Sequence, residues 1–218
     1  MTEAETVPDY VVVEGPIGVG KTTLARRFAD SFDADTLLER AEENPFLERF
    51  YENPRDAAFS TQLFFLMQRA EQMRELRQGD MFRPRLVADF LFDKDRLFAE
   101  LTLDEHEYAL YQQIFRTLSP EVPRPRLVVY LQAPVEVLQE RIRRRGIASE
   151  QAIDPDYLAR LCELYVRFFH HYTDAPLLIV NTADINPVDN DAEYAMLLEH
   201  VRQVRSGRHY FNPAPVTL

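Results

Sequence analysis

The sequence predicts an α/β fold in which a parallel five-stranded sheet is flanked by helices in a three-layer arrangement. Three observations support this prediction. Short β-branched runs alternate with helical patterns, a glycine-rich turn joins the first run to the first helix, and 46% of the 218 residues are hydrophobic. A chain of this size can bury a substantial core, so we expect residues 1–218 to form a single domain.

Five segments have the composition of strands buried in a parallel sheet. Each is a short run rich in Val, Leu or Ile, and the chain between successive runs leaves room for a crossover helix. The predicted strands cover residues 10–14, about 35–39, 86–89, 127–131 and 177–181.

The segments between the strands carry helical signals. An apolar stripe at helical spacing begins near Arg55 and predicts a long helix between the second and third strands. Thr102 to Glu105 has the pattern of a capping box, and Asp154 followed by Pro155 that of a helix start. Residues from about 208 to 218 include prolines and are expected to form an irregular tail.

The turn after the first strand fits the phosphate-binding pattern G-x-x-x-x-G-K-[ST] and is therefore a P-loop, over residues 15–22. Its main-chain N–H groups and the positive end of the following helix dipole favour a polyphosphate. Lys21 is predicted to reach the β and γ phosphates, and the Thr22 hydroxyl to hold Mg²⁺. The residues predicted to bind the nucleotide here are Gly15, Pro16, Ile17, Gly18, Val19, Gly20, Lys21, Thr22 and Thr23.

A second candidate phosphate-binding element is the basic stretch from Arg141 to Gly146. Arg141, Arg144 and Arg145 fall on one face of a helix near its C-terminus, where Gly146 stops the helix. Such a face can clamp a transferring phosphoryl group as a lid, which we predict to span about residues 141–151. Alternatively, these cations only favour a helix C-terminus and face water. We favour the lid because the same chain contains a P-loop.

Charge and hydropathy exclude two classes of partner. The net charge of −11 disfavours binding to a nucleic-acid polymer, which depends on neutralising phosphates. No apolar run approaches the ~20 residues of a membrane span, and the acidic segment from Met1 to Pro8 lacks a signal core. We therefore expect a cytoplasmic protein.

With these motifs, the chain resembles the deoxynucleoside kinase family, most closely its bacterial deoxyadenosine and deoxyguanosine kinase branch. The resemblance covers nearly the whole sequence. It implies a P-loop nucleoside kinase fold, a homodimer, and transfer of the ATP γ-phosphate to the 5′-hydroxyl of a deoxynucleoside. The matching segments are the P-loop, Leu38-Glu39, Glu43 to Tyr51, Phe59 to Gln62, Gln68-Arg69, Arg141 to Gly146, and Glu150-Gln151.

The resemblance also implies a catalytic set. Glu39 corresponds to the general base, which takes the proton of the 5′-hydroxyl as the phosphoryl group moves. Lys21 corresponds to the phosphate-binding lysine, and Arg141 and Arg145 to cations of the lid. Alternatively, Glu39 is an ordinary solvated charge.

Four further residues are implied to bind the acceptor. Tyr51 and Glu150 correspond to the pair that contacts the sugar 3′-hydroxyl, although plain packing is an alternative role for Tyr51. Gln62 corresponds to the side chain that faces the base with both ends of its amide. Arg69 corresponds to an arginine on the base side.

One segment departs from the family pattern. After the third strand the family has an acidic-Arg-Ser motif and, a few residues on, an Asp that helps to select the base. Anchoring on Leu97-Phe98-Ala99 puts Asp89 in place of the Arg and Lys94 in place of the Asp. Shifting by one residue instead puts Asp89 on the acidic position, with Phe90 in place of the Arg.

Either way the expected Arg is missing. We hypothesise that Lys94 returns a cation to the site and that Asp89 serves the metal or the base. Alternatively, Lys94 is a surface lysine between two aspartates. Base preference therefore cannot be copied from the family.

Two other functions stay open at this point. A kinase of another small hydroxylated or monophosphate acceptor would keep Lys21 and the lid without needing Tyr51, Gln62 and Glu150 together. A non-catalytic nucleotide-binding subunit would bind ATP without acceptor-stimulated turnover.

Overall fold

The computed structural model describes residues 8–78, 85–118 and 123–213. Six strands occur within these ranges: β1 (Tyr10–Glu14), β2 (Asp35–Leu37), β3 (Leu86–Ala88), β4 (Leu127–Gln132), β5 (Leu177–Asn181) and β6 (Arg208–Phe211). They form one parallel sheet in the order β2-β3-β1-β4-β5-β6. The predicted parallel α/β architecture is confirmed, with one strand more than expected.

The sixth strand corrects the prediction of an irregular tail from residue 208. β6 pairs with β5 from Leu177 opposite Arg208 to Val180 opposite Phe211. It is an edge strand with a charged start, so it lacks the apolar run that revealed the other strands. The Arg208 guanidinium donates to the carbonyls of Phe169 and His170, which holds it at the edge. The rest of the predicted tail, 214–218, lies outside the described residues.

Helices connect the strands and cover the sheet. In the described ranges they are α1 (Lys21–Phe32), α2 (Leu47–Glu52), α3 (Pro54–Gln78), α4 (Lys94–Thr102), α5 (Glu105–Leu118), α6 (Val135–Arg145), α7 (Pro155–His171) and α8 (Asp191–Gln203). Short 3₁₀ turns occur at Ala41–Glu43 and Ser149–Ala152. None of the helices in this part of the chain combines the length and apolar character of a membrane span.

The start of α7 lies where the sequence predicts it, and the start of α5 differs from the prediction. Asp154 caps α7 by accepting from a main-chain N–H of its first turn, as predicted. At α5 the capping box lies two residues later than expected. Asp104 caps the first turn, while Glu107 accepts from the Asp104 N–H. Thr102 instead ends α4 and donates its hydroxyl to the Phe98 carbonyl. Both Thr102 to Glu105 and Asp104 to Glu107 fit the capping-box pattern, but α4 continues to Thr102, which excludes the first of them.

Two hydrophobic cores hold the loops that form the site. The larger lies between the sheet and its helices and includes the fully buried Val11, Val12 and Val13 of β1. The smaller lies between α3, α4 and α5 and includes Phe90, which is fully buried. Phe90 is therefore a core residue, and it anchors the segment that follows β3.

Candidate active site

A cleft of about 670 Å³ lies where β2 and β3 end beside the P-loop. Ligands of open parallel sheets bind at this edge, outside the carboxyl ends of the strands. The cleft brings together many of the residues singled out from the sequence. Those that line it are Ile17, Gly18, Lys21, Thr22, Glu39, Tyr51, Gln62, Arg69, Lys94, Arg145 and Glu150.

The P-loop packs directly against the predicted lid helix. Gly18 has φ of +83°, and a Cβ there would lie 2.8 Å from Ile142 Cγ1 and 3.0 Å from the Leu138 carbonyl oxygen of α6. A side chain at this position would therefore be strained and would clash with α6. Lys21 Nζ donates to the carbonyls of Gly15 and Pro16, at 2.8 and 3.1 Å. Burial lowers the pKa of Lys21 to about 8.

Asp89 joins the P-loop helix to the end of the second strand. Its Oδ2 accepts from the Thr22 hydroxyl at 2.5 Å, and its Oδ1 accepts from the Glu39 N–H at 2.7 Å. β2 ends two residues and β3 one residue earlier than predicted, with Leu37 opposite Ala88 as the last pair, and the Asp89 N–H still donates to the Leu37 carbonyl. A hydroxyl beside a carboxylate is the donor chemistry that Mg²⁺ prefers, so these residues fit the ion.

Glu39 lies in the cleft between two cationic side chains. Lys94 Nζ donates to Glu39 Oε2 at 2.9 Å, and the Arg69 guanidinium pairs with Glu39 Oε1. Lys94 is only 2% exposed, so the alternative of a surface lysine is wrong. Burial lowers the pKa of Lys94 to about 8 and that of Arg69 to about 10.

Arg69 has a second partner that the sequence reasoning missed. Its guanidinium also pairs with Asp95, which is fully buried. Arg69 thus bridges the Glu39 carboxylate, which lines the cleft, and the buried Asp95 carboxylate, and its predicted contact with the base competes with these ion pairs. The available signal was a charged run, Asp93 to Asp95, inside an otherwise apolar segment, because charged side chains that are buried need a partner.

The arginines of the predicted lid line two neighbouring pockets. Arg145 lines the main cleft and makes a bidentate ion pair with Glu150. Arg141, Arg144 and Arg145 all line a smaller neighbouring pocket of about 230 Å³, beside Gly18 and Gly20 of the P-loop.

Arg141 and Arg144 have partners as well. Arg141 donates to the Thr182 hydroxyl at 2.9 Å and to the Thr182 carbonyl at 2.8 Å, so it anchors α6 to the loop after β5. Arg144 pairs with Asp189 at 3.0 Å. Of the three, Arg145 is the one that lines the cleft that contains Glu39.

The three residues predicted to bind the acceptor, Tyr51, Gln62 and Glu150, all line the cleft. Burial, with smaller contributions from Tyr157 and Glu150, raises the pKa of Tyr51 well above its ordinary value. The hydroxyl of Tyr51 is therefore a neutral donor at physiological pH. Gln62 is buried at the wall of the cleft, with an amide that can both donate and accept.

Together the P-loop, the carboxylate across the cleft and the adjacent lid arginine define a class: a P-loop phosphotransferase with a small hydroxyl-bearing acceptor. A family model described as deoxynucleoside kinase matches residues 11–205. The chain belongs to the deoxynucleoside kinase family and is an enzyme that phosphorylates deoxynucleosides.

Known deoxynucleoside kinases are similar to this chain in sequence and in fold. The chain is 32% identical over 200 residues to deoxyguanosine kinase of Bacillus subtilis, covering 89% of this chain and 97% of that protein. It is 26% identical to deoxyadenosine kinase of Lactobacillus acidophilus, covering 89% and 96%. Deoxyadenosine kinase from M. mycoides with bound dATP superposes with a TM-score of 0.76 at 21% identity, covering 89% of this chain and 99% of that chain.

Proposed function

We propose that this kinase transfers the γ-phosphate of ATP to the 5′-hydroxyl of a purine deoxynucleoside, with deoxyguanosine as the preferred acceptor. The main support for this reaction is that the Glu39 carboxylate lines the same cleft as Lys21 of the P-loop. The purine preference is supported by the 32% identity to a deoxyguanosine kinase over 200 residues.

In the proposed reaction, the 5′-oxygen forms a bond to the γ-phosphorus while the bond from that phosphorus to the β,γ-bridging oxygen breaks. Glu39 takes the proton that the 5′-hydroxyl loses, and ADP leaves with the electron pair of the broken bond. Lys21 and Arg145 stabilise the charge on the phosphate oxygens. Lys94, bonded to Glu39, orients this carboxylate and adds a positive charge at the acceptor end.

The residues that the sequence predicts to bind the acceptor keep those roles in this proposal. Tyr51 and Glu150 bind the 3′-hydroxyl, and Gln62 binds the base. The bidentate pair of Arg145 with Glu150 supports this proposal, because it ties the lid to the acceptor side. Arg141 and Arg144 hold the donor nucleotide from the smaller pocket.

We also propose Mg²⁺ as the metal. Thr22 and Asp89 would hold it, and it would neutralise charge on the phosphate oxygens. Support comes from the adjacency of their two side-chain oxygens, 2.5 Å apart. The protein is proposed to act in the cytoplasm, as one kinase domain without a nucleic-acid or membrane partner.

A second copy of the chain is the proposed protein partner. Two large apolar side chains on adjacent helices support a homodimer: Met67 of α3 is 54% exposed and Leu110 of α5 is 48% exposed. Sedimentation equilibrium is expected to give about twice the 25.5 kDa mass of the chain. Replacing both residues by Glu should return the monomer mass, and an unchanged mass would contradict this face as the interface.

The acceptor is tested with the four deoxynucleosides and the four ribonucleosides, each with ATP and Mg²⁺, by measuring the 5′-monophosphate formed. We expect deoxyguanosine to have the highest kcat/KM, deoxyadenosine to follow, and omission of Mg²⁺ to abolish turnover. A preference for a pyrimidine would contradict the proposed base. Absence of all eight products would contradict the proposed reaction.

A further inference from the structure

We infer that Glu14 is a positioning residue of the phosphoryl-transfer site: a buried carboxylate that ties the P-loop to the segment between Asp89 and Lys94 and stabilises the positive charge of Lys94. Glu14 does not line the cleft and acts only through these neighbours. The inference deepens the proposed function and rests on the proposed role of Lys94 beside the reacting group.

The position of Glu14 is unfavourable for a carboxylate without partners. It ends a strand of three fully buried valines and is itself fully buried. An ionised side chain there is stable only if hydrogen bonds and opposite charges replace the lost water. A neutral side chain would be equally compatible with the buried strand, so the presence of a carboxylate at this position requires another explanation.

Three donors from three separate parts of the fold meet on this carboxylate. Oε1 accepts from the Gly15 N–H and from the Tyr165 hydroxyl, both at 2.9 Å, and Oε2 accepts from the Leu91 N–H at 2.7 Å. Gly15 begins the P-loop, and Tyr165 lies on α7. Leu91 lies between Asp89 and Lys94 in the chain, so Glu14 fixes this segment relative to the phosphate-binding loop.

The same carboxylate stabilises the positive charge of Lys94. The ammonium bonds Glu39 directly, and the further charged groups around it are Glu14, Asp89 and the cations Arg69 and Lys21. Burial lowers the pKa of Lys94 to about 8, and the negative charge of Glu14 opposes this effect more than that of Asp89 does. Without Glu14, the pKa of Lys94 falls further, and less of the lysine is protonated at neutral pH.

The composition of the chain makes this charge directly measurable. Of 25 basic residues, 23 are arginine, and Lys21 and Lys94 are the two lysines. Arginine stays protonated near pH 8, even at Arg69, whose pKa is lowered to about 10, whereas the buried Lys94, with a pKa lowered to about 8, titrates in this range. Labelling lysine with ¹³C at Cε therefore gives two side-chain NMR signals, and the Lys94→Arg variant identifies the one that belongs to Lys94.

The test compares the titration of that signal in the full-length wild type and in Glu14→Gln, which removes the charge and keeps the shape. We expect the midpoint for Lys94 to fall by about one pH unit, as for loss of a nearby opposite charge. The alkaline limb of kcat should move in the same direction. The matched control is Tyr165→Phe, which removes one hydrogen bond to Glu14 and leaves its charge, so the midpoint should stay near that of the wild type.

An unchanged Lys94 midpoint in a folded Glu14→Gln variant would overturn the inference, as would an equal shift in Tyr165→Phe. If the glutamine variant does not fold, Glu14→Asp is measured instead, because it moves the charge away by one methylene. It should lower the Lys94 midpoint by a smaller amount, and an unchanged midpoint in this variant would also overturn the inference. The NMR measurement needs no turnover, so its result is independent of whether the proposed acceptor proves correct.

Discussion

Replacing Glu39 by Gln is expected to lower kcat by about 10²–10⁴-fold while ATP binding stays nearly unchanged. The amide has the size of the carboxylate but cannot take the proton of the 5′-hydroxyl. It also leaves Lys94 and Arg69 with a weaker partner, so the variant should unfold at a lower temperature. Steady-state kinetics with deoxyguanosine, titration with a non-hydrolysable ATP analogue and thermal unfolding measure the three effects separately.

Glu43→Gln is the matched control for this change. Glu43 lies in the 3₁₀ turn four residues after Glu39 and accepts from Gln68 at the surface. The control should leave kcat within about twofold, as surface substitutions usually do. Equal kcat in wild type and Glu39→Gln would contradict a general base at position 39. If neither protein showed acceptor-dependent turnover, the non-catalytic nucleotide-binding subunit would be the better account.

The fold was predictable wherever burial leaves a local pattern in the sequence. β1 and β4 lie inside a sheet covered on both faces, so each is a continuous apolar run with a clear beginning and end. β6 pairs on one side only and starts with Arg208, whose partners are carbonyls distant in sequence. No short-range pattern carries that information, and the strand therefore looked like a tail.

The site was predictable where a motif combines several requirements in a few residues. The P-loop needs glycines, Lys21 and Thr22 at fixed spacing, so its identity and place follow from the sequence. The segment after β3 has no such constraint, and two alignments of Asp89 remained possible. The bonds of Asp89 to Thr22 and to the Glu39 N–H favour the alignment in which it occupies the acidic position.

The buried charges were the least accessible part of the site. Glu14 and Asp95 are both fully buried, yet each looks in the sequence like an ordinary acid at the end of a strand or the start of a helix. Their partners lie up to 151 residues away in the chain. Arg141 shows the converse, because its helix face was predicted correctly, while its bonds to Thr182 depend on a loop that only the folded sheet brings near.

Replacing Lys94 by Met is expected to lower kcat/KM for deoxyguanosine by about 10²–10³-fold, with most of the loss in kcat. Methionine keeps the length of the stem but removes the charge-assisted bond to Glu39, so the carboxylate keeps Arg69 as its remaining cationic partner. Loss of the cation also removes positive charge from the acceptor end of the transition state. Initial rates over a range of deoxyguanosine concentrations separate kcat from KM.

Lys94→Arg distinguishes the charge of this residue from its packing. The pKa of Lys94 is lowered to about 8, so kcat of the wild type should fall as the pH rises through this value and the ammonium loses its proton. With ATP bound, Lys21 contacts phosphate and stays protonated, so the fall in kcat reports Lys94. The arginine variant keeps its charge, and we expect its kcat to be reduced but to show no fall near pH 8. A methionine variant with wild-type kcat and a raised KM would instead make Lys94 a residue that only binds the acceptor.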